Sequence, residues 1–263
     1  MSRIGKIESL WRYPVKSMRG ERLREVFTGF SGIYCDRLFA FHNPQIRPGL
    51  PYLTAREQTR MLRFRPRFRV PEAAVAPPNL AAASSLGAGA TPLYAEPGAL
   101  ALEVETPSGT TLAIDDPALV EELCAGLSEK PQLTLRRSER ALTDCRPVSL
   151  ISLQSVARLG EETGTTVDQR RFRANLYLDL TTSGDLNEDD LVGRTLCIGA
   201  KVSLAIVARD SRCMIITLDP DTGEKSPEIL KTVAQKHGGY AGVYAVVLAE
   251  GMIREGDKVE LLD

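Results

Sequence analysis

Histidine and closely spaced cysteine are both scarce in this sequence. Only two of its 263 residues are histidine, His42 and His237, so a histidine-rich zinc site or a Ser-His-Asp relay has few candidate residues. The five cysteines lie far apart, which excludes a C-x-x-C pair and an iron–sulfur ligand run. Their odd number and wide spacing favour reduced thiols in a cytoplasmic protein.

Long apolar runs and an excess of one charge are also absent. The longest apolar run near either end, residues 245–249, is far shorter than the ~18 residues of a membrane span, and residues 1–8 lack the apolar stretch of a signal peptide. We therefore expect no membrane span and no export. With 33 basic and 34 acidic residues the formal net charge is −1, which argues against a nucleic-acid partner. Hydrophobic residues make up 43% of the chain, enough for a sizeable core.

Short apolar runs broken by glycine and proline dominate the first 70 residues and predict the strands of a barrel or sandwich. Residues 62–70 alternate apolar residues with four arginines, which we name the basic strand face: Arg63, Arg65, Arg67 and Arg69. Such a face is typical of the solvated side of a strand, and its functional interpretation is a docking patch for an acidic protein. Residues 71–97, rich in Ala, Gly, Pro and Ser, predict an irregular surface excursion.

Three short helices are predicted from their caps. They follow Asp116 with Pro117 at the first helical position, Ser152, and Ser226, and glycines at 238–239 stop the third. The further strands are predicted at residues 175–180, 201–207, 214–218, 244–248 and 258–262. The pattern predicts an α+β, β-rich protein of two joined units, with a break between residues 110 and 145.

Cys213 is the cysteine best placed for chemistry. It lies where a polar loop meets an apolar run, and the nearby Arg209 and Arg212 would favour its thiolate, although Asp210 acts against this. A thiolate at a strand edge can meet a ligand. On the local sequence alone, a half-buried structural cysteine is the more common case. The structural interpretation also applies to the cysteines at 35, 124 and 197.

Cationic and amide-bearing residues recur at predicted turns, and each could donate to an anionic ligand. They include Lys16, Ser17, Arg37, Arg56, Arg171, Arg173 and Asn175. Taken singly, each is more often a solvated polar residue. His237, at the predicted end of the third helix, suits a structural role there because a cation complements the helix dipole.

Taken in order, these segments resemble a known family. The segments IESLWRYPVKS (residues 7–17), CDRLF (35–39) and TARE (54–57) resemble the amino-terminal β-barrel domain that precedes a MOSC domain. The segments PVSLIS (147–152), RFRAN (171–175), SRC (211–213), TLDPDTG (217–223) and REGDKV (254–259) resemble the MOSC domain itself. The resemblance implies an amino-terminal MOSC-type β-barrel domain over residues 1–120 and a MOSC β-barrel domain with short helices over 121–263.

The resemblance extends to the mitochondrial amidoxime-reducing component and its bacterial relatives, in which the cysteine of the Arg-Cys block ligates molybdenum. It implies a molybdenum cofactor, with Cys213 as the metal-binding thiolate and Asp144 near the metal as the second catalytic residue. The implied cofactor-binding residues are Lys16, Ser17, Arg37, Arg56, Arg171, Arg173 and Asn175. These residue types suit the group, because a molybdopterin phosphate needs cationic donors and the metal accepts a soft sulfur ligand.

The sequence departs from those relatives at two places. Cys145 and Arg146 replace small hydroxyl residues close to the metal, and they could narrow the pocket, add charge to it or offer a second thiol. Ala174 replaces the usual proline, a change that should loosen the loop. Some relatives append a ferredoxin module, but no cysteine follows Cys213 here. We therefore expect electrons from a separate ferredoxin- or cytochrome-type protein with its reductase.

The function implied by the resemblance is that of a cytoplasmic, molybdenum-dependent oxidoreductase that removes oxygen from small N-hydroxylated or related N–O, or S–O, compounds. An alternative is a carrier that holds sulfur as a persulfide, or holds the cofactor, on Cys213, because a reactive thiolate also accepts sulfane sulfur. A third is a binding module for another anionic ligand.

Overall fold

Strands form most of the regular structure in the computed structural model, which describes residues 2–45, 51–87, 90, 92–98, 100–127, 129–181 and 188–262. The strands are β1 (Ser2–Arg12), β2 (Glu21–Leu23), β3 (Glu25–Gly29), β4 (Gly32–Ile33), β5 (Phe39–His42), β6 (Arg65–Phe68), β7 (Leu102–Glu105), β8 (Thr111–Ala113), β9 (Thr134–Arg137), β10 (Val148–Ser152), β11 (Leu176–Leu180), β12 (Thr195–Ile198), β13 (Val202–Ser211), β14 (Tyr240–Ala249), β15 (Gly251–Arg254) and β16 (Lys258–Leu262). The α-helices are α1 (Leu80–Ser84), α2 (Pro117–Cys124), α3 (Leu153–Thr163) and α4 (Pro227–Lys236).

Seven strands form a closed barrel in the order β1-β11-β10-β14-β13-β12-β16, and β16 returns to β1. The β10–β11 pair is parallel and the other six pairs are antiparallel. Alternate residues of these strands point inward and bury a large apolar core, which includes Ile7, Leu150, Leu178, Leu204 and Val243. The α+β, β-rich fold class is thereby confirmed.

The small sheet β15-β3-β4 packs against the barrel core. A second core lies outside the barrel, under two other small sheets with the strand orders β5-β9 and β6-β7-β8. Phe41, Met61 and Phe64 are among its buried side chains. Strands from both sides of residue 120 pair with each other, because β1 completes the barrel and β15 pairs with β3. The division of the chain after residue 120 therefore stays a prediction.

The helices begin where their caps predict. Asp116 accepts a hydrogen bond from the Ala118 backbone N at 2.9 Å, ahead of α2. Ser152 accepts one from Ser155 N at 3.0 Å, ahead of α3. The third, α4, packs against α3 and ends just before His237, whose Nε2 lies 2.7 Å from a carboxylate oxygen of Glu162. Within the described ranges, no helix combines the length and apolar character needed to cross a membrane.

The predicted strand at residues 214–218 is wrong, because Met214–Thr217 forms a 3-10 helix. Its last residue, Thr217, donates its hydroxyl to the Met214 carbonyl at 2.7 Å, which replaces strand pairing with a local bond. A short apolar run such as Met214–Ile216 does not distinguish a short helix from a strand. The tight turn directs the chain away from the barrel just after Cys213.

The strand predicted over residues 62–70 is shorter than expected. A 3-10 helix over Thr59–Arg63 precedes it, and only Arg65–Phe68 is extended. The basic strand face is exposed as predicted, but its charge is largely balanced. Arg65 and Arg67 pair with Glu105, and Arg69 pairs with Glu103, both on the neighbouring β7. In residues 71–97, a 3-10 helix over Pro71–Ala74 and the short α1 interrupt the irregular chain, and residues 88, 89 and 91 lie outside the described residues.

Candidate functional site

One cleft of about 430 Å³ is lined by all nine residues that the sequence analysis singled out for the site. They are Lys16, Ser17, Arg37, Arg56, Asp144, Arg171, Arg173, Asn175 and Cys213. The first four come from turns of the amino-terminal part, and the others lie on segments that enter or leave barrel strands. Six chain segments therefore meet at one place, which local sequence patterns could not show.

Cys213 lies directly after a barrel strand, at the start of the 3-10 helix over Met214–Thr217, and is partly exposed. The Arg56 guanidinium donates toward its sulfur, with NH2 3.4 Å from Sγ. The same nitrogen lies 3.3 Å from Oδ2 of Asp144, so one guanidinium joins the carboxylate and the thiol.

Asp144 also forms an ion pair with Lys16, whose Nζ donates in addition to the Leu142 carbonyl at 2.7 Å. Burial lowers the pKa of Lys16, and the nearby Asp144 charge opposes this. Partial burial would raise the pKa of Asp144, but the positive charges of Lys16, Arg56 and Arg37 outweigh it and lower that pKa. Asp144 is therefore a carboxylate at neutral pH, fixed between two cations.

Two guanidinium groups, those of Arg37 and Arg173, lie over the ring of Tyr13. The central carbons of Arg37 and Arg173 lie 4.5 and 4.3 Å from the ring centroid, and Arg37 NH2 donates to the Arg173 carbonyl at 3.0 Å. Arg37 also pairs with the buried Asp36 at 2.5 Å. Cation–π contacts and an ion pair thus hold two like charges close together.

Left-handed backbone is concentrated at this cleft. Five non-glycine residues in the described part of the chain have positive φ, and three of them line the cleft: Ser17 (64°), Arg37 (43°) and Arg173 (52°). Such residues are strained and cluster at ligand sites, where the surrounding structure holds them. The fold therefore maintains an unfavourable local conformation at three of the predicted cofactor-binding positions.

Three buried arginine nitrogens at the cleft have no hydrogen-bond partner in the described structure: NH2 of Arg173, Nε of Arg171 and NH2 of Arg212. The last of these still lies 2.8 Å from the Asp210 carboxylate, so only the first two lack an acceptor nearby. Arg171 is otherwise engaged, since NH1 donates to the Thr217 carbonyl at 2.8 Å and NH2 lies 3.3 Å from Asp219. Burial lowers the pKa of Arg173 to about 10. An unpaired buried donor costs about 1–3 kcal/mol, so an anionic acceptor at this place would relieve a real cost.

Asn175 connects the cleft to the barrel through side-chain hydrogen bonds. Its Oδ1 accepts from Ser149 N and Oγ, both at 3.2 Å, and its Nδ2 donates to the Trp11 carbonyl at 3.3 Å. The preceding Ala174 donates its backbone N–H to Tyr177 Oη at 3.3 Å, a bond that a proline at this position could not make.

Sequence reasoning did not place Asp210, Arg212 or Tyr244 in the site. Arg212 NH2 lies 2.8 Å from Asp210 Oδ2, and its other nitrogens donate to the Ala241 and Phe172 carbonyls at 2.6 and 2.8 Å. Burial raises the pKa of Asp210, and Arg212 offsets this only in part. Burial also raises the pKa of Tyr244, which hydrogen-bonds Asp210. The available signal was Tyr244 inside the largely apolar β14, whose first residue is also a tyrosine.

Two family models match the chain. The model described as the MOSC N-terminal beta barrel domain matches residues 4–84, and the model described as the MOSC domain matches residues 137–260. A search of the curated proteins finds no match. The two matched regions contain all nine of the predicted site residues.

Several solved structures share parts of the fold. The YUAD protein from Bacillus subtilis is 12% identical, with 98% of this chain and 94% of that chain covered and a TM-score of 0.49. YiiM from Geobacillus stearothermophilus is 21% identical (45% and 55% covered, TM-score 0.36), and YiiM from Escherichia coli is 17% identical (45% and 55%, TM-score 0.33). This chain spans about half the length of each YiiM, and these similarities carry no argument about function.

Proposed function

This chain belongs to the proteins that combine a MOSC N-terminal beta barrel domain with a MOSC domain, and on that premise we propose that it is a molybdenum-cofactor-dependent reductase. MOSC domains are generally molybdenum-cofactor-binding. The substrates in this proposal are small N-hydroxylated or related N–O, or S–O, compounds. The electrons come from a separate ferredoxin- or cytochrome-type protein with its reductase, in the cytoplasm.

The observation that carries the proposal is the pair of unpaired buried nitrogens on Arg171 and Arg173. Both belong to a cleft rich in cations, which also holds a partly exposed thiol beside a guanidinium. A molybdopterin carries a phosphate that needs cationic donors and a metal that accepts thiolate sulfur. The residues present therefore fit this group.

In this proposal the cofactor is held by Lys16, Ser17, Arg37, Arg56, Arg171, Arg173 and Asn175, and Cys213 binds the metal. When bound, the cofactor supplies the redox chemistry that removes an oxygen atom from the substrate. Asp144 remains charged, since its pKa is lowered, so it orients Arg56 toward the sulfur and is not the proton donor. Arg56 donates toward the Cys213 sulfur and so helps to hold it in place for the metal.

The test begins with protein from cells that make the cofactor. We expect molybdenum close to one atom per chain, and reduction of benzamidoxime to benzamidine with reduced methyl viologen as the electron donor. Cys213→Ser should fold but lose the metal and the activity. Cofactor-loaded wild-type protein that reduces neither N–O nor S–O compounds would contradict the reductase proposal.

The carrier alternative is favoured by one observation, the exposed thiol of Cys145 in the same cleft as Cys213. Two thiols in one cleft could hold and pass on sulfane sulfur. The discriminating experiment incubates the protein with a cysteine desulfurase and cysteine and then measures its mass. A persulfide on Cys213 in protein without molybdenum would support the carrier.

A further inference from the structure

Most cations that line the cleft are paired with a carboxylate of this chain. Asp144 pairs with both Lys16 and Arg56, and the remaining pairs are Arg37–Asp36, Arg171–Asp219 and Arg212–Asp210. Two arginines of the cleft lack an ion pair with any residue in the described part of the chain: Arg173 and Arg146.

These two arginines differ in their surroundings. Arg173 is fixed over the Tyr13 ring, and its terminal NH2 nitrogen is buried, which suits the cofactor proposed above. Arg146 is exposed, directly after the exposed Asp144 and Cys145, and it has no hydrogen-bond or ion-pair partner among the described residues. The cleft thus presents one uncompensated cation to whatever enters from solvent.

We propose that Arg146 selects substrates that carry a carboxylate or similar anion beside the reducible N–O group. This inference rests on the reductase proposed above and concerns its substrate class. Guanidinium groups bind carboxylates through two parallel hydrogen bonds, and an unpaired one loses no internal ion pair when a substrate arrives. The paired cations of the cleft would each have to share or break an ion pair.

The first test measures binding without turnover. Isothermal titration of cofactor-loaded protein compares benzamide with 4-carboxybenzamide, two amides that differ in one carboxylate. We expect the carboxylated amide to bind about 3- to 10-fold more tightly, the range of a partly exposed charge-assisted pair, and the difference to shrink at high salt. Equal binding of the two amides, or no detectable binding of the carboxylated one, overturns the proposal.

Variants then assign the effect to one residue. Arg146→Gln should abolish the preference, and Arg146→Glu should reverse it in favour of 4-(aminomethyl)benzamide. The control is Arg140→Gln, which removes the same charge from an exposed residue outside the cleft and should keep the preference. If Arg140→Gln acts as strongly as Arg146→Gln, general surface charge is responsible and the proposal fails.

Kinetics separate this inference from the function on which it rests. We expect a higher kcat/KM for 4-carboxybenzamidoxime than for benzamidoxime, by the same factor as in binding. Equal rates for the two, in wild-type protein and in Arg146→Gln, would overturn the substrate class and leave the reductase standing. If neither is reduced but the carboxylated amide binds through Arg146, the reductase fails and the anion site stands.

Discussion

Replacing Arg173 with methionine should stabilise the cofactor-free protein and prevent it from binding the cofactor. Burial lowers the pKa of Arg173 to about 10 from its ordinary value, which corresponds to about 3 kcal/mol of cost for the charged form in the folded state. Because the folded pKa is the lower one, this cost is fully present below pH ~10 and is relieved only above it. The cation–π contact between Arg173 and the Tyr13 ring offsets about 1 kcal/mol of this cost.

Arg173→Met removes both effects, so we expect a net gain of about 2 kcal/mol at neutral pH. For a chain of this length, that raises Tm by about 4–8 °C. The assay is thermal unfolding of protein from cells that lack the cofactor, together with the molybdenum content of protein from cells that make it. The variant should melt at a higher temperature and contain almost no molybdenum.

Arg171→Met is the matched control. Arg171 donates to the Thr217 carbonyl and pairs with Asp219, so its loss leaves an acceptor and a carboxylate without their partner. This variant should be less stable than wild type by about 1–3 kcal/mol. The reasoning is refuted if Arg173→Met lowers Tm, or if it raises Tm and still binds molybdenum at the wild-type level.

Three further predictions follow from the same contacts. Cys213→Ala should shift the free energy of unfolding by less than about 1 kcal/mol, since the side chain is partly exposed, yet remove bound molybdenum; a large fall in Tm would contradict this. Asp144→Asn should destabilise the protein at pH 7. Because the folded pKa of Asp144 is lowered, the difference from wild type should begin to shrink below pH ~4 and vanish only once the pH falls below that lowered pKa; an unchanged difference in acid unfolding curves is the contrary result. Arg67→Gln on the basic strand face should leave the rate of reduction by a protein donor unchanged, since Glu105 balances this charge. A slower rate with the protein donor but not with methyl viologen would favour docking there.

The sequence predicts those parts of the fold that depend on local chemistry. The caps at Asp116 and Ser152 follow from side chains that accept backbone N–H groups two or three residues away. The cofactor-site residues were found through short motifs, and the structure brings all of them to one cleft. Their roles stay a proposal, because proximity alone does not show what they bind.

What the sequence could not supply depends on distant partners. Residues 214–218 have the composition of a strand, but none of the described strands pairs with residues 214–217, so a local 3-10 turn forms there and only Leu218 makes a bridge, to Lys225. The charge balance of the basic strand face depends on Glu103 and Glu105, which lie nearly 40 residues further along the chain. Tyr244 enters the site only because β14 pairs with the end of β13 that leads to Cys213.

The closure of the barrel by β1 has a consequence for synthesis. β1 is synthesised before the other strands of the barrel, but the strands on either side of it, β11 and β16, follow only after most of this chain. Until then β1 lacks both of its barrel partners, and pairing over so long a separation slows folding. A fragment starting at residue 121 would lack β1, so its barrel would be open. Its two unpaired edge strands, β11 and β16, would favour self-association.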